Sequence, residues 1–579
     1  MQKTTLSRMW NYIGKYKAKL LGVVICSLLG NALLIFGPLL TGVAIDKIVG
    51  KGNVDFNGLY RIIVVLLVIF IFSSLFQWLM SILSSIVANK TVYDIRKDAF
   101  ARISVLPLKF FDQTPHGEVI SKLTNDLDAI SEGLFQGITQ IMSAVVIIVG
   151  SLIFMFTISP LISLAVLFTT PLCILIASFI AKYSKKMFAR QSQTVGELNG
   201  YVEEVIGNLK VVKAFGKEEK VFQEFKEINS RLYGWGQKAQ WYSSMTNPTT
   251  RLINNVAYVL VALIGGLLAF GGRISVGRIA SFLTYSNQFA KPINEITSLS
   301  SQIQSAFASA ERVFALLDEK TEIPVREDGA ELVSCEGKVE FSEVSFSYRP
   351  DISLITNLNL QVKKGEMVAI VGPTGSGKTT LVNLLMRFYD VDFGHIYIDD
   401  RNISEVTRES LRKSIGMVLQ DSWLFVGTVA ENIAYGKEGA TREEVIAAAK
   451  EAKADYFIRH LPQGYDTMLD EDGRNLSQGQ KQLLTIARVM IMNPAMLILD
   501  EATSSIDTRT ELTIQKAFTK MMQGRTSFVI AHRLSTIREA DTILVLKDGD
   551  VIEQGSHVEL LDKKGFYFTL YHSQFTPVN

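Results

Sequence analysis

From Gly133 to Ala181 the chain carries no charged residue. Such a run is longer than one helical crossing of roughly 30 Å of hydrocarbon needs. Ser159-Pro160 interrupts it near the middle, and a helix approaching a proline stops at or before the preceding residue. The run therefore predicts two membrane helices joined by a tight turn, over about 133–158 and 161–182. Uncharged or nearly uncharged stretches predict further spans at about 20–46, 60–90 and 250–272. A sixth, at about 278–300, is more polar, with Asn287, Gln288, Lys291, Pro292, Asn294 and Glu295 in it. The basic start MQKTTLSRMWNYIGKYKAK leads into an apolar run too long for a signal peptide, so it reads as a retained first span.

Cationic residues set the orientation. Lys15, Lys17 and Lys19 precede the first span, Lys90, Arg96, Lys97 and Arg102 follow the second, and Lys182, Lys185, Lys186 and Arg190 follow the fourth. All fall on one side if the spans alternate, which makes that side, and the N-terminus, cytosolic. The connections from Lys90 to Glu132 and from Lys182 to Arg251 contain few breakers, which predicts helices projecting beyond the bilayer. Their tips, FFDQTPHGE at Phe110 to Glu118 and VVKAFGKEE at Val211 to Glu219, suit docking on a cytosolic domain. Polar residues within the spans, Asn31, Gln77, Gln136, Gln140, Asn254, Asn255, Asn287 and Gln288, need partners in lipid. Two uses are open: lining a wet cavity, or hydrogen bonding between helices.

With 48% hydrophobic and only 20% charged residues in 579, the chain reads as part embedded and part soluble, with at least two domains. A net charge of +2 gives no argument for nucleic acid. Cys26, Cys173 and Cys335 are far apart and suggest neither a disulfide framework nor a metal cluster. The apolar spans give way after residue 320 to a charged linker at 321–336, and from 337 to 579 strands alternate with helices as in a parallel α/β domain.

In that second half the apolar run MVAIV, Met367 to Val371, leads into GPTGSGKTT, Gly372 to Thr380, and then into LVNLLMRF. Strand, Gly-rich loop and helix in that order make a phosphate cradle. Gly372, Gly375 and Gly377 let the backbone curl so that N–H groups face phosphate oxygens, with Pro373, Thr374 and Ser376 between them. Lys378 then reaches the β- and γ-phosphates, and the Thr379 hydroxyl, next to Thr380, is placed to ligate Mg²⁺. AMLILDE, Ala495 to Glu501, is a buried strand ending in two carboxylates. Asp500 is suited to hold Mg²⁺, and Glu501, facing the other way, to polarise an attacking water.

With these residues the second half resembles the nucleotide-binding domain of ATP-binding cassette (ABC) transporters, and the whole chain resembles an exporter-type half-transporter. The most specific motif is NLSQGQKQ, Asn475 to Gln482, similar to the LSGGQ signature. By that resemblance Ser477, Gln478, Gly479 and Gln480 contact ATP held by the opposite subunit. Tyr348 in FSYRP matches the aromatic that stacks on adenine, and Gln420 in MVLQD the glutamine that senses Mg²⁺ and water. Glu471 sits where exporters have an X-loop glutamate, though its neighbours depart from that pattern. Ser505 and Asp507 lie in the D-loop, and His532 in IAHRLST matches the switch histidine.

The expected fold is thus an α-helical membrane domain of six transmembrane helices with long intracellular extensions, followed by an α/β P-loop NTPase domain. The resemblance implies ATP and Mg²⁺ as ligands and a multi-pass protein of a bacterial cell membrane with its ATP-binding domain in the cytosol. It also implies ATP-driven export of an amphipathic or hydrophobic substrate as one half of a dimer. Gln478 replaces a glycine beside a phosphate, which resembles exporters with one weak and one competent site and favours a homologous partner over an identical one. A homodimeric lipid or peptide exporter is the alternative. An ATP-gated channel or regulatory membrane protein on the same scaffold is the reading of another class.

Overall fold

The computed structural model describes residues 2–48, 54–322, 330–332, 334–349, 354–419, 422–470, 473–500, 507–531 and 534–575. It separates into two units: Met1–Ser104 with His116–Glu319, and Val105–Pro115 with Lys320–Asn579.

The first unit is helical. After an N-terminal helix, Gln2–Gly14, long helices run over Lys17–Asp46, Phe56–Ile103, Leu127–Ile158, Pro160–Gly207, Thr246–Phe270 and Val276–Asp318. Among the described residues, four helical stretches are long and apolar enough to cross a membrane: Lys17–Asp46, Phe56–Ile103, His116–Ile158 and Glu218–Phe270. Neither the polar helix Val276–Asp318 nor Pro160–Gly207, which holds the span expected at about 161–182 and has several side chains outside the described residues, is among them. Phe56–Ile103 has 48 residues, roughly 72 Å at about 1.5 Å each. It therefore extends far past the roughly 30 Å of hydrocarbon.

Helix ends follow local chemistry. Ile158 closes one helix and Pro160 opens the next, with Ser159 as N-cap accepting from the Ile162 N–H. Thr114 is extended ahead of Pro115 and ends the short helix Leu108–Gln113. At the other tip, Gly216 adopts a left-handed φ of 56° between Leu209–Ala214 and Glu218–Ser244.

Some buried polar groups of the bundle bond to one another or to backbone carbonyls, while Ser84, Thr91 and Ser151 have no side-chain hydrogen-bond partner among the described residues. Asn31 is only 2% exposed. Its amide donates to the Ser27 carbonyl at 2.8 Å and to Ser143 Oγ at 3.3 Å. Its surroundings therefore match interhelical hydrogen bonding rather than a cavity lining. Gln140 donates to Gln136, and Gln136 to Glu132, along one face of their helix. The helices Lys17–Asp46 and Val276–Asp318 meet at Gly42 and Gly277. A Cβ on Gly277 would lie 2.0 Å from the Gly42 carbonyl, so small residues set this approach. Asp46 locks it by accepting from the Gly277 N–H at 2.7 Å and from Ser275 Oγ at 2.6 Å.

Cys26 and Cys335 are free thiols, each partly buried, and the Cys173 side chain lies outside the described residues.

Among its described residues the second unit carries twelve strands: β1 Val339–Phe346, β2 Ile355–Val362, β3 Met367–Val371, β4 Phe393–Ile398, β5 Arg401–Asn402, β6 Ile415–Val418, β7 Gly427–Thr428, β8 Met468–Leu469, β9 Met496–Asp500, β10 Thr526–Ile530, β11 Thr542–Lys547 and β12 Asp550–Gly555. The main sheet runs β12-β11-β3-β10-β9-β6, parallel except for β12. Its central strands are almost wholly buried, as continuous apolar runs in a parallel sheet should be. Beside it stands an antiparallel sheet, β2-β1-β4-β5, beyond the parallel domain the sequence suggested. Its strands alternate buried and open positions, β1 most plainly, so their apolar content per residue is diluted and the signal is weaker.

In the first unit a one-turn π-helix, Lys122–Asp126, precedes Leu127–Ile158. Its last residue, Asp126, is buried and accepts from Arg312 Nη2 at 2.5 Å, Arg312 Nε at 3.0 Å and Ser309 Oγ at 2.9 Å. Removing one member of a buried pair strands the other charge. Because the Arg312 side chain is half-exposed, Arg312→Met should destabilise the membrane unit by about 1–3 kcal/mol, below the roughly 3–5 kcal/mol of a fully buried pair. The double variant Asp126→Asn/Arg312→Met should be less destabilised than Arg312→Met alone. Thermal unfolding of the four proteins of this cycle in detergent measures both.

Candidate functional site

Three neighbouring strands define the site. Ile370 in β3 is level with Ile530 in β10, which is level with Asp500 in β9. The C-terminal ends of three adjacent parallel strands thus open on one edge, where ligands of such sheets bind.

From β3 the chain turns through Gly372–Gly377 into the helix Lys378–Leu385. Gly375 and Gly377 take φ of 84° and 98°, which glycine alone adopts without strain. Gly372 answers to crowding instead, since a Cβ there would lie 2.2 Å from the Leu546 carbonyl. Lys378 curls back over the loop, its Nζ 2.9 Å from both the Gly372 and Pro373 carbonyls. Burial pulls its ammonium below the usual pKa, against the attraction of Asp500. Ser376 Oγ is buried with no hydrogen-bond partner among the described residues. An unpaired buried hydroxyl, a desolvated ammonium and a helix N-terminus together fit an anion. Pro373, Thr374 and Thr379 are exposed around this loop, while Thr380 is buried beneath it.

Tyr348, just past β1, is tied to the helix after the loop by a 3.2 Å hydrogen bond from Asn383 Nδ2 to its hydroxyl. Its half-buried ring meets Phe346 and Tyr389 edge to face, at 5.0 and 4.9 Å between centroids. Nothing in the spacing of FSYRP announces Asn383 or Tyr389; only the fold brings them there.

Ser477 caps the helix Gln478–Met492. Its Oγ accepts from the Gln480 N–H at 3.3 Å, and its own N–H donates to Gln480 Oε1 at 3.0 Å, which makes a capping box. Ser477 and Gln478 are exposed and Gly479 is buried. This helix packs on β6, the edge strand, and on the helices Val429–Ala434 and Arg442–Glu451. The loop after β3, by contrast, stands on the central part of the sheet. Ser477 and Lys378 are therefore carried by different parts of one domain.

Asp507 caps the helix Thr508–Met522 by accepting from the Thr510 N–H at 3.0 Å, a bond that holds its carboxyl below the usual pKa. Gln420, Glu471, Glu501, Ser505 and His532 lie outside the described residues. The segment after Gln420 is shaped by two residues sequence reading did not single out. Asn432 bonds the Phe425 N–H and carbonyl at 2.9 Å each, and Arg488 donates to the Trp423 carbonyl at 3.1 Å.

Residues 20–293 match the family described as ABC transporter transmembrane region, and residues 355–504 the family described as ABC transporter. An uncharacterized ABC transporter ATP-binding protein, YfiC of Bacillus subtilis (strain 168), is 44% identical over 99% of this chain and 94% of its own length. A protein of Mycobacterium bovis described as a fatty acid ABC transporter ATP-binding/permease protein is 44% identical over 92% of this chain and 84% of its own. A solved structure of a bacterial Atm1-family ABC exporter with ATP bound is similar at a TM-score of 0.79 and 30% identity, over 97% of this chain and 99% of that one. The chain belongs to the ABC transporters, as an exporter-type half-transporter that joins a multi-pass membrane domain to a cytosolic ATP-hydrolysing domain and works as a dimer.

Proposed function

We propose that this chain moves an amphipathic or hydrophobic substrate across the cell membrane by alternating access, driven by ATP held at the seam between two subunits. One observation carries the reading. The loop of Lys378 and the helix headed by Ser477 stand on different parts of the domain, so a nucleotide gripped by both kinds of element needs two domains. Tyr348 takes the adenine ring, Lys378 and the loop N–H groups the phosphates, and Ser477 and Gly479 the γ-phosphate of ATP on the partner. Glu501 polarises the water, with Gln420 and His532 beside the γ-phosphate and Ser505 and Asp507 at the seam. Thr379, Asp500 and Gln420 are the residues for Mg²⁺, which when bound neutralises charge on the β- and γ-phosphates. ATP drives closure only to the extent that it binds the closed dimer better than the open one.

The similarity to a protein described as a fatty acid transporter supports an acyl-bearing substrate. The exposed Gln478 at the first position of its helix supports a homologous partner, because an amide chain stands where glycine would leave the backbone bare.

Three outcomes test this. Glu501→Gln and Lys378→Ala should each lower ATP turnover by about 10²-fold or more, and ATP-dependent uptake into inside-out vesicles should fall with it. Uptake that persists without hydrolysis would instead indicate a channel. Robust ATPase activity of this chain purified alone would defeat the heterodimer. In the assembled transporter, Gln478→Gly should raise turnover.

Lys378 supplies a further test. Its pKa is depressed in the folded protein, so the folded state binds fewer protons than the unfolded one as pH falls through the unfolded value. Charged Lys378 therefore weakens the nucleotide-free protein at neutral pH, and stability is gained as pH rises past the folded pKa. Lys378→Met should leave the nucleotide-free Tm equal or higher. It should also abolish the rise on adding ATP, which for Glu501→Gln protein at an ATP level of about 100 Kd is worth about 2.7 kcal/mol.

A further inference from the structure

The tip segment Val105–Pro115 groups with the ATP-binding unit rather than with the helices that flank it in sequence. Leu108 packs on the core beneath β1, β2 and β4, and the Val105 carbonyl accepts from the Glu322 N–H at 3.2 Å. Glu322 is itself held by Arg408 and Arg412, at 3.5 and 3.2 Å. Within this contact Asp112 receives a hydrogen bond from the Tyr389 hydroxyl. Tyr389 is 8% exposed. Burial and then the hydrogen bond to Asp112 raise its pKa, so it stays a neutral donor across physiological pH. The ring of the same residue stands edge-on to Tyr348 at 4.9 Å and 89°, and edge-on to Phe346 at 5.5 Å. Tyr348 in turn accepts from Asn383, on the helix that begins at Lys378.

We infer that Tyr389 is a positioning residue with two separable jobs: its hydroxyl fixes the tip helix Leu108–Gln113 through Asp112, and its ring sets the plane of Tyr348 for the nucleotide base. One rigid side chain thereby ties the attitude of the base-binding ring to that of the tip. The geometry makes the two jobs divisible, because phenylalanine keeps the ring and loses only the hydroxyl. The inference rests on the reading of Tyr348 as the base-stacking residue. If Tyr348→Ala leaves the KM for ATP unchanged, that reading fails and the ring's job goes with it, while the hydroxyl's job is still measured by the variants below.

The test uses the full-length protein, assembled with its partner if it requires one, in lipid nanodiscs, with ATP turnover measured with and without an added amphiphile that stimulates it. Tyr389→Phe should leave basal turnover and the KM for ATP within about twofold of wild type, a change under roughly 0.5 kcal/mol. It should reduce stimulation by the amphiphile several-fold. Asp112→Ala should do the same, Asp112→Asn, which still accepts, should largely restore stimulation, and Tyr389→Phe/Asp112→Ala should be no worse than either single variant. Tyr389→Leu, which loses the ring as well, should raise the KM for ATP by about tenfold, the weight of about 1.4 kcal/mol. Full stimulation in Tyr389→Phe, additive losses in the double variant, or an unchanged KM in Tyr389→Leu would overturn the inference. Thermal unfolding of each variant separates these effects from loss of fold, which would lower turnover and stimulation together.

Discussion

The ATP-binding half depends on the register of three parallel strands. Ile370, Ile530 and Asp500 stand level across β3, β10 and β9, so the strands reach the same edge together. These strands bury side chains on both faces, so a one-residue slip would exchange every side chain between two packed layers, and the register is fixed by the core. The loop that follows β3 and the carboxylate that ends β9 are therefore brought to one edge by the packing of the strands that carry them. The depressed pKa of Lys378 is the energetic mark of that design. A cation is held partly desolvated before its anion arrives, and the unpaired Ser376 hydroxyl waits under the same constraint. The unpaired hydroxyl and the desolvated ammonium each raise the free energy of the nucleotide-free loop, a cost that a well-packed scaffold offsets.

In the membrane half the limiting factor is different. Apolar side chains gain little by leaving lipid for one another, so helices associate where backbones can come close or polar groups can pair. Gly42 against Gly277, sealed by Asp46, is the first device. Asn31 with Ser27 and Ser143 is the second. The Asp126–Arg312 pair, set on a π-turn, is a third, and it joins the helix Leu127–Ile158 to the far end of Val276–Asp318, beyond the apolar stretch. Each fixes the relative position of helices that run well beyond the bilayer thickness.

Much of this was written plainly in the sequence, and what was not has a physical reason. The break at Ser159-Pro160 and the strand–loop–helix around Gly372 are local: a proline and three glycines dictate backbone conformation within a few residues. The buried strands β3, β9 and β10 announce themselves because no face of them is polar. The antiparallel sheet was not legible, since β1 and β4 bury apolar residues on one face only, with polar ones between them, and pair across a long interval. That the Phe110 tip suits a cytosolic domain was legible from its place beyond the membrane, but its partners were not: Asp112 meets Tyr389, 277 positions away, and no local pattern records a partner at that distance. The use of Asn31 was likewise undecidable until its neighbours were known, because the same amide serves a cavity or a helix seam.

The signature helix shows how a side chain can serve its own fold and a ligand at once. The Ser477 hydroxyl accepts from the Gln480 N–H, which uses one lone pair and leaves its proton free to donate. The Ser477 N–H is already taken by Gln480 Oε1 and is lost to a phosphate. The N–H groups of Gln478 and Gly479, at the first two helical positions, have no carbonyl to bond within the helix. A phosphate placed there would therefore meet one hydroxyl and two backbone donors, and none of the three depends on what side chain residue 478 carries. Replacing a glycine by Gln478 leaves the donors intact and adds only bulk and restricted φ. If the seam that this chain's signature helps to form is the weak one, the weakness is steric. It is then a defect that deleting the side chain can reverse, unlike the loss of a catalytic carboxylate.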